Sequence, residues 1–133
     1  MGLRILIAED DAQTRELLEK ILALRGWESR LCADGNQALA AWAEGGFSLL
    51  LLDLAMPGMD GAEVTREVRR QEGSSRRTPI IIYSATVWGQ GRGVELEGVD
   101  VDEYLPKPVR IPVPCEAISR YLGAAGPALP SSK

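Results

Sequence analysis

The sequence predicts a doubly wound α/β domain, because five short strand-like runs alternate along the chain with stretches of helical periodicity. The first, third and fourth runs are almost wholly apolar, which is typical of central strands buried on both faces of a parallel sheet. The second run alternates apolar with polar residues and therefore suits an edge. In order, the five predicted strands are Leu3–Ala8, Trp27–Cys32, Ser48–Asp53, Pro79–Ser84 and Asp102–Pro106.

Amphipathic patterns between these strands predict three helices, Ala12–Arg25, Asn36–Glu44 and Ala62–Glu72. In the first of them, Gly26 supplies the stop signal. The apolar face that we expect this helix to bury consists of Leu17, Leu18, Ile21 and Leu22. In the third helix the inward side chains are Val64 and Val68, and the outward ones are Glu63, Arg66, Arg69 and Arg70.

The last third of the chain fits the alternation less well. Val87–Gly98 occupies the place of a fourth helix, but its four glycines make it a weak helix former. A final helix is predicted to start after Pro114, a residue suited to the first turn, and to end at about Leu122. The predicted domain therefore covers residues 1–122, and residues 123–133 form a tail or linker without a core of its own.

Composition and charge exclude several classes of protein. The 133 residues suffice for one domain, and a net charge of −4 without an extended Lys/Arg cluster argues against nucleic-acid binding by this chain alone. No apolar run approaches the roughly 20 residues that span a bilayer, so we expect no membrane insertion. The two cysteines match no metal-binding spacing and are typical of a reducing cytoplasm. Because histidine is absent, the chain has neither a histidine base nor a phosphohistidine of its own.

Chemically reactive side chains follow four of the predicted strands. Glu9 and Asp10 follow the first strand, Asp53 ends the third, Ser84 ends the fourth, and Lys107 follows the fifth. Because the carboxyl ends of parallel strands lie at one edge of a sheet, these side chains are expected to meet in a single crevice. Crowded carboxylates repel one another, and a hard divalent cation such as Mg²⁺, bound through oxygen atoms alone, relieves that repulsion.

Asp53 stands at the tip of the most apolar strand, and its expected surroundings contain more positive charge than one carboxylate needs. A divalent cation and the Lys107 ammonium would together favour a group with two negative charges, such as a phosphoryl group, on Asp53. A carboxylate can attack phosphorus to form an acyl phosphate. We therefore expect Asp53 to be rigid, exposed and reactive.

Each of these residues also has a simpler explanation. An aspartate before Ala12 is most often a helix N-cap, and Asp11 in particular is a candidate for that role alone. Asp53 could simply terminate a strand, Ser84 could be an ordinary loop hydroxyl, and Lys107 could be a solvated surface lysine. Their joint placement at successive strand ends is hard to obtain from packing alone, which favours a functional site.

Four segments of the chain resemble the receiver domains of two-component response regulators. They are ILIAEDD at 5–11, LLLLDLAMPGMDG at 49–61, TPIIIYSA at 78–85 and EYLPKP at 103–108. The pattern D-x-x-M-P-x-M-D-G after an apolar strand is highly specific for that family, and the likeness extends from Leu3 to about Leu122. The resemblance implies a flavodoxin-like (βα)5 fold with a five-stranded parallel sheet in the order 2-1-3-4-5.

The resemblance also implies a role for each matching residue. Asp53 corresponds to the phosphoacceptor and Lys107 to the lysine that pairs with a phosphoryl oxygen. Ser84 corresponds to a hydroxyl that moves toward the phosphoryl group, although the family usually has threonine there. Tyr104 corresponds to the aromatic residue whose inward turn reports that movement, and we expect it to be half-buried near the sheet edge. The implied ligands of Mg²⁺ are Glu9, Asp10, Asp53 and the backbone carbonyl of Ala55.

The function implied by the resemblance is phosphotransfer from a partner phosphohistidine, on a histidine kinase or a histidine phosphotransfer protein, followed by a switch that controls an output partner. Two alternatives stay open. One is a receiver-like interaction module that works without phosphorylation. The other is an aspartate-nucleophile phosphatase, which would usually need a second acid where Ala55 stands. The receiver could belong to a hybrid sensor kinase, and it could pair into a homodimer. In each of these cases we expect a cytoplasmic signalling module.

Overall fold

The structure bounds eight helices and strands in the part of the chain that it describes. The computed structural model describes residues 4–56, 58–73, 77–84, 101–106 and 118–119. Its elements are β1 (Arg4–Ala8), α1 (Ala12–Leu24), β2 (Glu28–Cys32), α2 (Gly35–Glu44), β3 (Leu49–Asp53), α3 (Gly61–Glu72), β4 (Ile80–Ser84) and β5 (Glu103–Pro106). The five predicted strands and the first three predicted helices are thereby confirmed. The predicted fourth helix, most of the predicted last helix and the tail lie outside the described residues.

The five strands form one parallel sheet in the order β2-β1-β3-β4-β5. This order confirms the doubly wound, flavodoxin-like architecture, with β3 at the centre and the alternating strand β2 at an edge. In the register, Ala8 is paired with Leu52 and Asp53 with Tyr83. Because all the strands run in the same direction, the residues that end or follow β1, β3 and β4 meet at one edge of the sheet.

Two apolar clusters cover the two faces of the sheet. Leu50 and Leu52 of β3 belong to the cluster that α2 and α3 complete, whereas Leu49 and Leu51 belong to the cluster that α1 completes. This is the alternation that a strand imposes on its side chains. All five residues of β3 are buried, as the continuous apolar run predicts. The rigid centre of the sheet therefore ends at Asp53.

The buried face of α1 is narrower than the sequence predicts. Leu18, Ile21 and Leu22 are buried, but Leu17 exposes 52% of its surface, so its assignment to the core face was wrong. At 100° per residue, Leu17 lies roughly 90° from the middle of the buried stripe, which takes it past the line of contact with the sheet.

The outward position predicted for Arg69 of α3 was also wrong. Only 14% of its side chain is exposed. Its Nη1 donates to Glu72 Oε1 at 2.9 Å and to the carbonyl oxygen of Thr78 at 2.8 Å, and its Nη2 donates to Asp102 Oδ2 at 3.3 Å. This network joins the end of α3 to the segments that lead into β4 and β5. Arg69 therefore helps to hold these elements together, although the helical pattern places it on the outer face.

Aspartates fix the first residue of α1, α2 and α3. Asp11, Asp34 and Asp60 have extended backbones, and the side chain of each accepts a hydrogen bond from the backbone N–H three residues ahead. Asp11 is thus the N-cap that the sequence predicts for α1. The other two caps start α2 and α3 at Gly35 and Gly61, one residue before the predicted starts. The predicted starts follow the apolar pattern, whereas the position of the cap decides where the helix begins. Of the helices that the structure describes, none has the length and apolar character needed to cross a membrane.

Candidate functional site

Three acidic side chains meet at the carboxyl edge of the sheet. Glu9 and Asp10 directly follow β1, and Asp53 is the last residue of β3. One carboxylate oxygen from each residue lies within 4.8 Å of those of the other two. Asp10 is exposed, whereas Glu9 exposes 0% and Asp53 3% of its surface. The predicted gathering of acids at this edge is therefore confirmed in the geometry.

Hydrogen bonds fix Glu9 on several sides. Its Oε1 accepts from the Tyr83 hydroxyl at 2.7 Å, and its Oε2 accepts from the backbone N–H of Asp11 at 2.8 Å. Its own N–H donates to the carbonyl oxygen of Cys32 at 3.0 Å, and its carbonyl oxygen accepts from Arg15 Nη1 at 2.7 Å. Both ends of the residue are thus held, so its carboxylate has a defined position.

Tyr83 also lies at this edge, and the pattern of the sequence did not identify it as part of the site. It lies in β4, is fully buried, and exposes 0% of its surface. Burial, and then the hydrogen bond to Glu9, raise the pKa of the Tyr83 phenol well above its usual range. The phenol is therefore the donor and the Glu9 carboxylate the acceptor. The available signal in the sequence was a tyrosine after three isoleucines, where an aliphatic residue would have sufficed.

Asp53 is buried and not exposed as the sequence analysis expected. Its Oδ1 accepts from the backbone N–H of Ala55 at 3.2 Å. The backbone of Gly61 approaches it so closely that a Cβ on that glycine would lie 2.6 Å from the Asp53 carbonyl oxygen. Leu54 donates its N–H to the carbonyl of Tyr83 at 3.1 Å and accepts at its own carbonyl from Gly61 at 3.0 Å. The turn after β3 therefore packs against Asp53 and fixes its backbone by hydrogen bonds on both sides.

The remaining predicted site residues have different outcomes. Ser84 ends β4 and is paired with Pro106, at the predicted edge. Tyr104 lies in the edge strand β5 and is paired with Ile82. It exposes 37% of its surface and is therefore exposed, not half-buried as expected. Lys107 lies outside the described residues, so its predicted place beside Asp53 stays a prediction.

The chemistry of the three acids fits a hard divalent cation. Their donor atoms are all carboxylate oxygens, the ligands that Mg²⁺ prefers. Two of the three residues are buried, so water screens the mutual repulsion of the carboxylates poorly. A cation among them would offset that repulsion. An exposed cluster of acids would not need such a cation, because water would screen its charges.

Comparison of the sequence with known protein families assigns the chain to one of them. A family model for the response regulator receiver domain matches residues 5–119. The chain belongs to this family. The resemblance seen in the sequence is thereby confirmed, and the receiver domain is a signalling module of two-component systems.

Relatives and solved structures agree with this assignment. The receiver domain is 36% identical over 107 residues to the transcriptional activator protein PfeR of Pseudomonas aeruginosa, and 30% identical over 126 residues to the regulatory protein VanRB of Enterococcus faecalis. These matches cover 79% and 95% of this chain but 33% and 55% of the relatives, so the chain spans about a third to a half of their length. It is also similar to the solved receiver domain of a sensor histidine kinase of Pseudomonas aeruginosa with a magnesium ion coordinated in the active site cleft. That match has a TM-score of 0.84 and 31% identity, and it covers 93% of this chain and 100% of the other.

Proposed function

We propose that Asp53 of this receiver domain accepts a phosphoryl group from a phosphohistidine of a partner. A carboxylate oxygen of Asp53 forms a bond to phosphorus, the P–N bond breaks, and its electron pair returns to the imidazole nitrogen. The observation that carries the proposal is a buried, backbone-fixed carboxylate at the end of the central strand, with a carboxylate oxygen within 4.8 Å of those of two further acids. Because the chain contains no histidine, the donor is another protein or domain, a histidine kinase or a histidine phosphotransfer protein.

Mg²⁺ is the cofactor we assign to this reaction. Glu9, Asp10, Asp53 and the backbone carbonyl of Ala55 would hold it, with Glu9 acting through a water molecule. When bound, the cation offsets the negative charge that accumulates as the phosphoryl group approaches the carboxylates. The magnesium ion in the similar receiver domain of the sensor histidine kinase supports the assignment.

Removal of Mg²⁺ is expected to stop phosphoryl uptake. Without the cation, the dianionic phosphoryl donor must approach three carboxylates, so the transfer should slow by at least about 100-fold, equivalent to roughly 2.7 kcal/mol in the barrier. The measurement is intact mass after incubation with acetyl phosphate, with and without EDTA. Excess Mg²⁺ added after the EDTA is the control and should restore uptake. Equal uptake in both samples would contradict the proposed role of the acids.

Lys107 is proposed as the cation that pairs with a phosphoryl oxygen, and Lys107→Ala is expected to slow uptake about 10- to 100-fold or to uncouple it from the conformational response. Rates of uptake from acetyl phosphate, followed by intact mass, and tryptophan fluorescence during uptake measure the two effects. The matched control is Lys20→Ala, since Lys20 is an exposed lysine on α1. A Lys107→Ala protein with the rate and fluorescence response of the wild type would exclude the role.

The phosphoryl group is proposed to bias a two-state switch. Ser84 would move toward it and Tyr104 would turn inward, and coupling of about 1–3 kcal/mol is enough to change the population of the active state several-fold or more. We propose that residues 1–122 form this signalling module, that it works in the cytoplasm, and that residues 123–133 are a linker or tail. Its output partner binds by a surface that the phosphorylated state favours, and a hybrid sensor kinase is one protein in which such a module would operate.

A phosphatase that acts on small molecules is a weaker candidate. Such an enzyme would usually place a general acid two residues after the nucleophile, and that position holds Ala55. An interaction module that works without phosphorylation would not need a group of three close carboxylates, two of them buried, whose repulsion destabilises the fold unless a cation or a partner compensates it. The proposed function accounts for this cost.

A further inference from the structure

We infer that Tyr83 is a positioning residue for the metal site: its hydroxyl fixes the Glu9 carboxylate in the place from which Glu9 serves the cation. The inference rests on the proposed Mg²⁺ site of Glu9, Asp10, Asp53 and the Ala55 carbonyl. It adds Tyr83 to that site as a residue that does not itself contact the metal. Its starting point is the hydrogen bond of 2.7 Å between the buried Tyr83 hydroxyl and Glu9 Oε1.

The sheet register explains why these two residues meet. Ala8 is paired with Leu52 and Asp53 with Tyr83, so Glu9, Asp53 and Tyr83 form one row across β1, β3 and β4. Two inter-strand spacings separate the first and last members of such a row, roughly 10 Å. The long side chains of Tyr83 and Glu9 bridge that distance past the end of β3. A phenylalanine at position 83 would fill the same space but lack the oxygen that makes the contact.

The surroundings of Tyr83 make the hydroxyl a fixed donor. Its ring belongs to the apolar cluster beneath α1, together with Ile7, Leu51 and Ile81. A ring packed among these side chains has few alternative rotamers, so the position of the hydroxyl is restricted as well. Tyr83 exposes 0% of its surface and Glu9 likewise 0%, so water does not compete for the bond.

A carboxylate fixed in this way suits Mg²⁺ in particular. Mg²⁺ requires nearly ideal octahedral geometry, whereas Ca²⁺ accepts a larger and more variable shell. Groups that orient the ligands of a metal often contribute 10- to 100-fold to its affinity. We therefore expect Tyr83 to affect the affinity for Mg²⁺ more strongly than the affinity for Ca²⁺.

The test compares wild type, Tyr83→Phe and Thr78→Val by calorimetric titration with each cation. In Tyr83→Phe the dissociation constant for Mg²⁺ should rise about 10-fold, and that for Ca²⁺ by less than about threefold. Thr78→Val is the matched control, because it also removes a buried hydroxyl, from the segment that leads into β4. Its Oγ1 accepts from Trp42 Nε1 at 3.3 Å, away from the acids, so its Mg²⁺ affinity should equal that of the wild type.

A double-mutant cycle with Glu9→Ala tests whether Tyr83 acts through Glu9, because alanine removes the oxygen that accepts the Tyr83 hydrogen bond. In the Glu9→Ala background, adding Tyr83→Phe should change the Mg²⁺ dissociation constant by less than about twofold. Glu9→Asp provides a second route if Tyr83→Phe does not fold, because it withdraws the carboxylate from the hydroxyl and keeps the charge. It should show the same selective loss of Mg²⁺ affinity.

Three results would overturn the inference. The first is an Mg²⁺ dissociation constant in Tyr83→Phe within twofold of the wild-type value. The second is equal weakening of Mg²⁺ and Ca²⁺ binding, and the third is a full effect of Tyr83→Phe in the Glu9→Ala background. If the wild type binds no Mg²⁺ at all, the proposed metal site fails, and the inference fails with it. If the wild type binds Mg²⁺ and Tyr83→Phe binds it equally well, only the role of Tyr83 is lost.

Discussion

Asp53→Asn is expected to abolish phosphoryl uptake and to leave the fold intact. An amide oxygen is a poor nucleophile toward phosphorus, so the loss should exceed about 1,000-fold, or roughly 4 kcal/mol in the barrier. The asparagine oxygen can still accept the bond that Asp53 Oδ1 accepts from the Ala55 N–H at 3.2 Å. Removing one of three close negative charges also relieves repulsion, so the free energy of unfolding should stay equal or rise by up to about 1 kcal/mol. Intact mass after incubation with acetyl phosphate and Mg²⁺ measures the first effect, and urea denaturation the second.

Asp60→Asn is the matched control for this substitution. Asp60 caps α3 from the same loop that follows Asp53, and its Oδ1 accepts from the backbone N–H of Glu63 at 2.8 Å. Asparagine caps helices about as well as aspartate, so this variant should fold and accept a phosphoryl group at the wild-type rate. Uptake by Asp53→Asn at a rate comparable to that of the Asp60→Asn protein would show that the acceptor is another residue.

Gly35→Ala is expected to have the largest effect on stability. A Cβ at Gly35 would lie 1.9 Å from the carbonyl oxygen of Met59 and 2.9 Å from Val64 Cγ2. The first of these neighbours is backbone in the loop that leads into α3, so the loop or α2 must move. We expect the free energy of unfolding to fall by about 3 kcal/mol, the upper range for overpacking, although alanine is the better helix former. Urea denaturation followed by far-UV circular dichroism measures the change.

Asn36→Ala provides the comparison for Gly35→Ala at the next position of the same helix. Asn36 is exposed, and alanine there gains helix propensity without entering occupied space. Its free energy of unfolding should lie within about 0.5 kcal/mol of the wild-type value. If Gly35→Ala were as stable as Asn36→Ala, the close approach of α2 to the loop before α3 would be wrong.

Much of the fold could be predicted because burial on two faces leaves a plain pattern in the sequence. The apolar runs that became β1, β3 and β4 identified the centre of the sheet, and the alternating run that became β2 identified an edge. Helix starts were less accurate, since they depend on which aspartate accepts a backbone hydrogen bond. Arg69 shows a second limit. An arginine on an outer helix position can be drawn inward by partners such as Asp102, 33 residues away, which no local pattern reveals.

The acids of the site could be predicted for a similar reason. Parallel strands bring their carboxyl ends to one edge, so Glu9, Asp10 and Asp53 had to be neighbours once the strands were recognised. Tyr83 could not be found in this way, because a buried tyrosine looks like any core residue until its hydroxyl has a partner. That partner is 74 residues away, and only the register of β1, β3 and β4 brings the two together.

The most direct test of the central claim is to locate the phosphoryl group on the chain. Borohydride reduces an aspartyl phosphate to homoserine, so peptide mapping after treatment with acetyl phosphate, Mg²⁺ and borohydride identifies the acceptor. We predict homoserine in place of Asp53 in the peptide that contains β3, and unmodified aspartate at Asp10, Asp11 and Asp60. Homoserine at another aspartate, or unmodified Asp53 in a protein whose intact mass shows a bound phosphoryl group, would contradict the assignment of Asp53 as the phosphoacceptor.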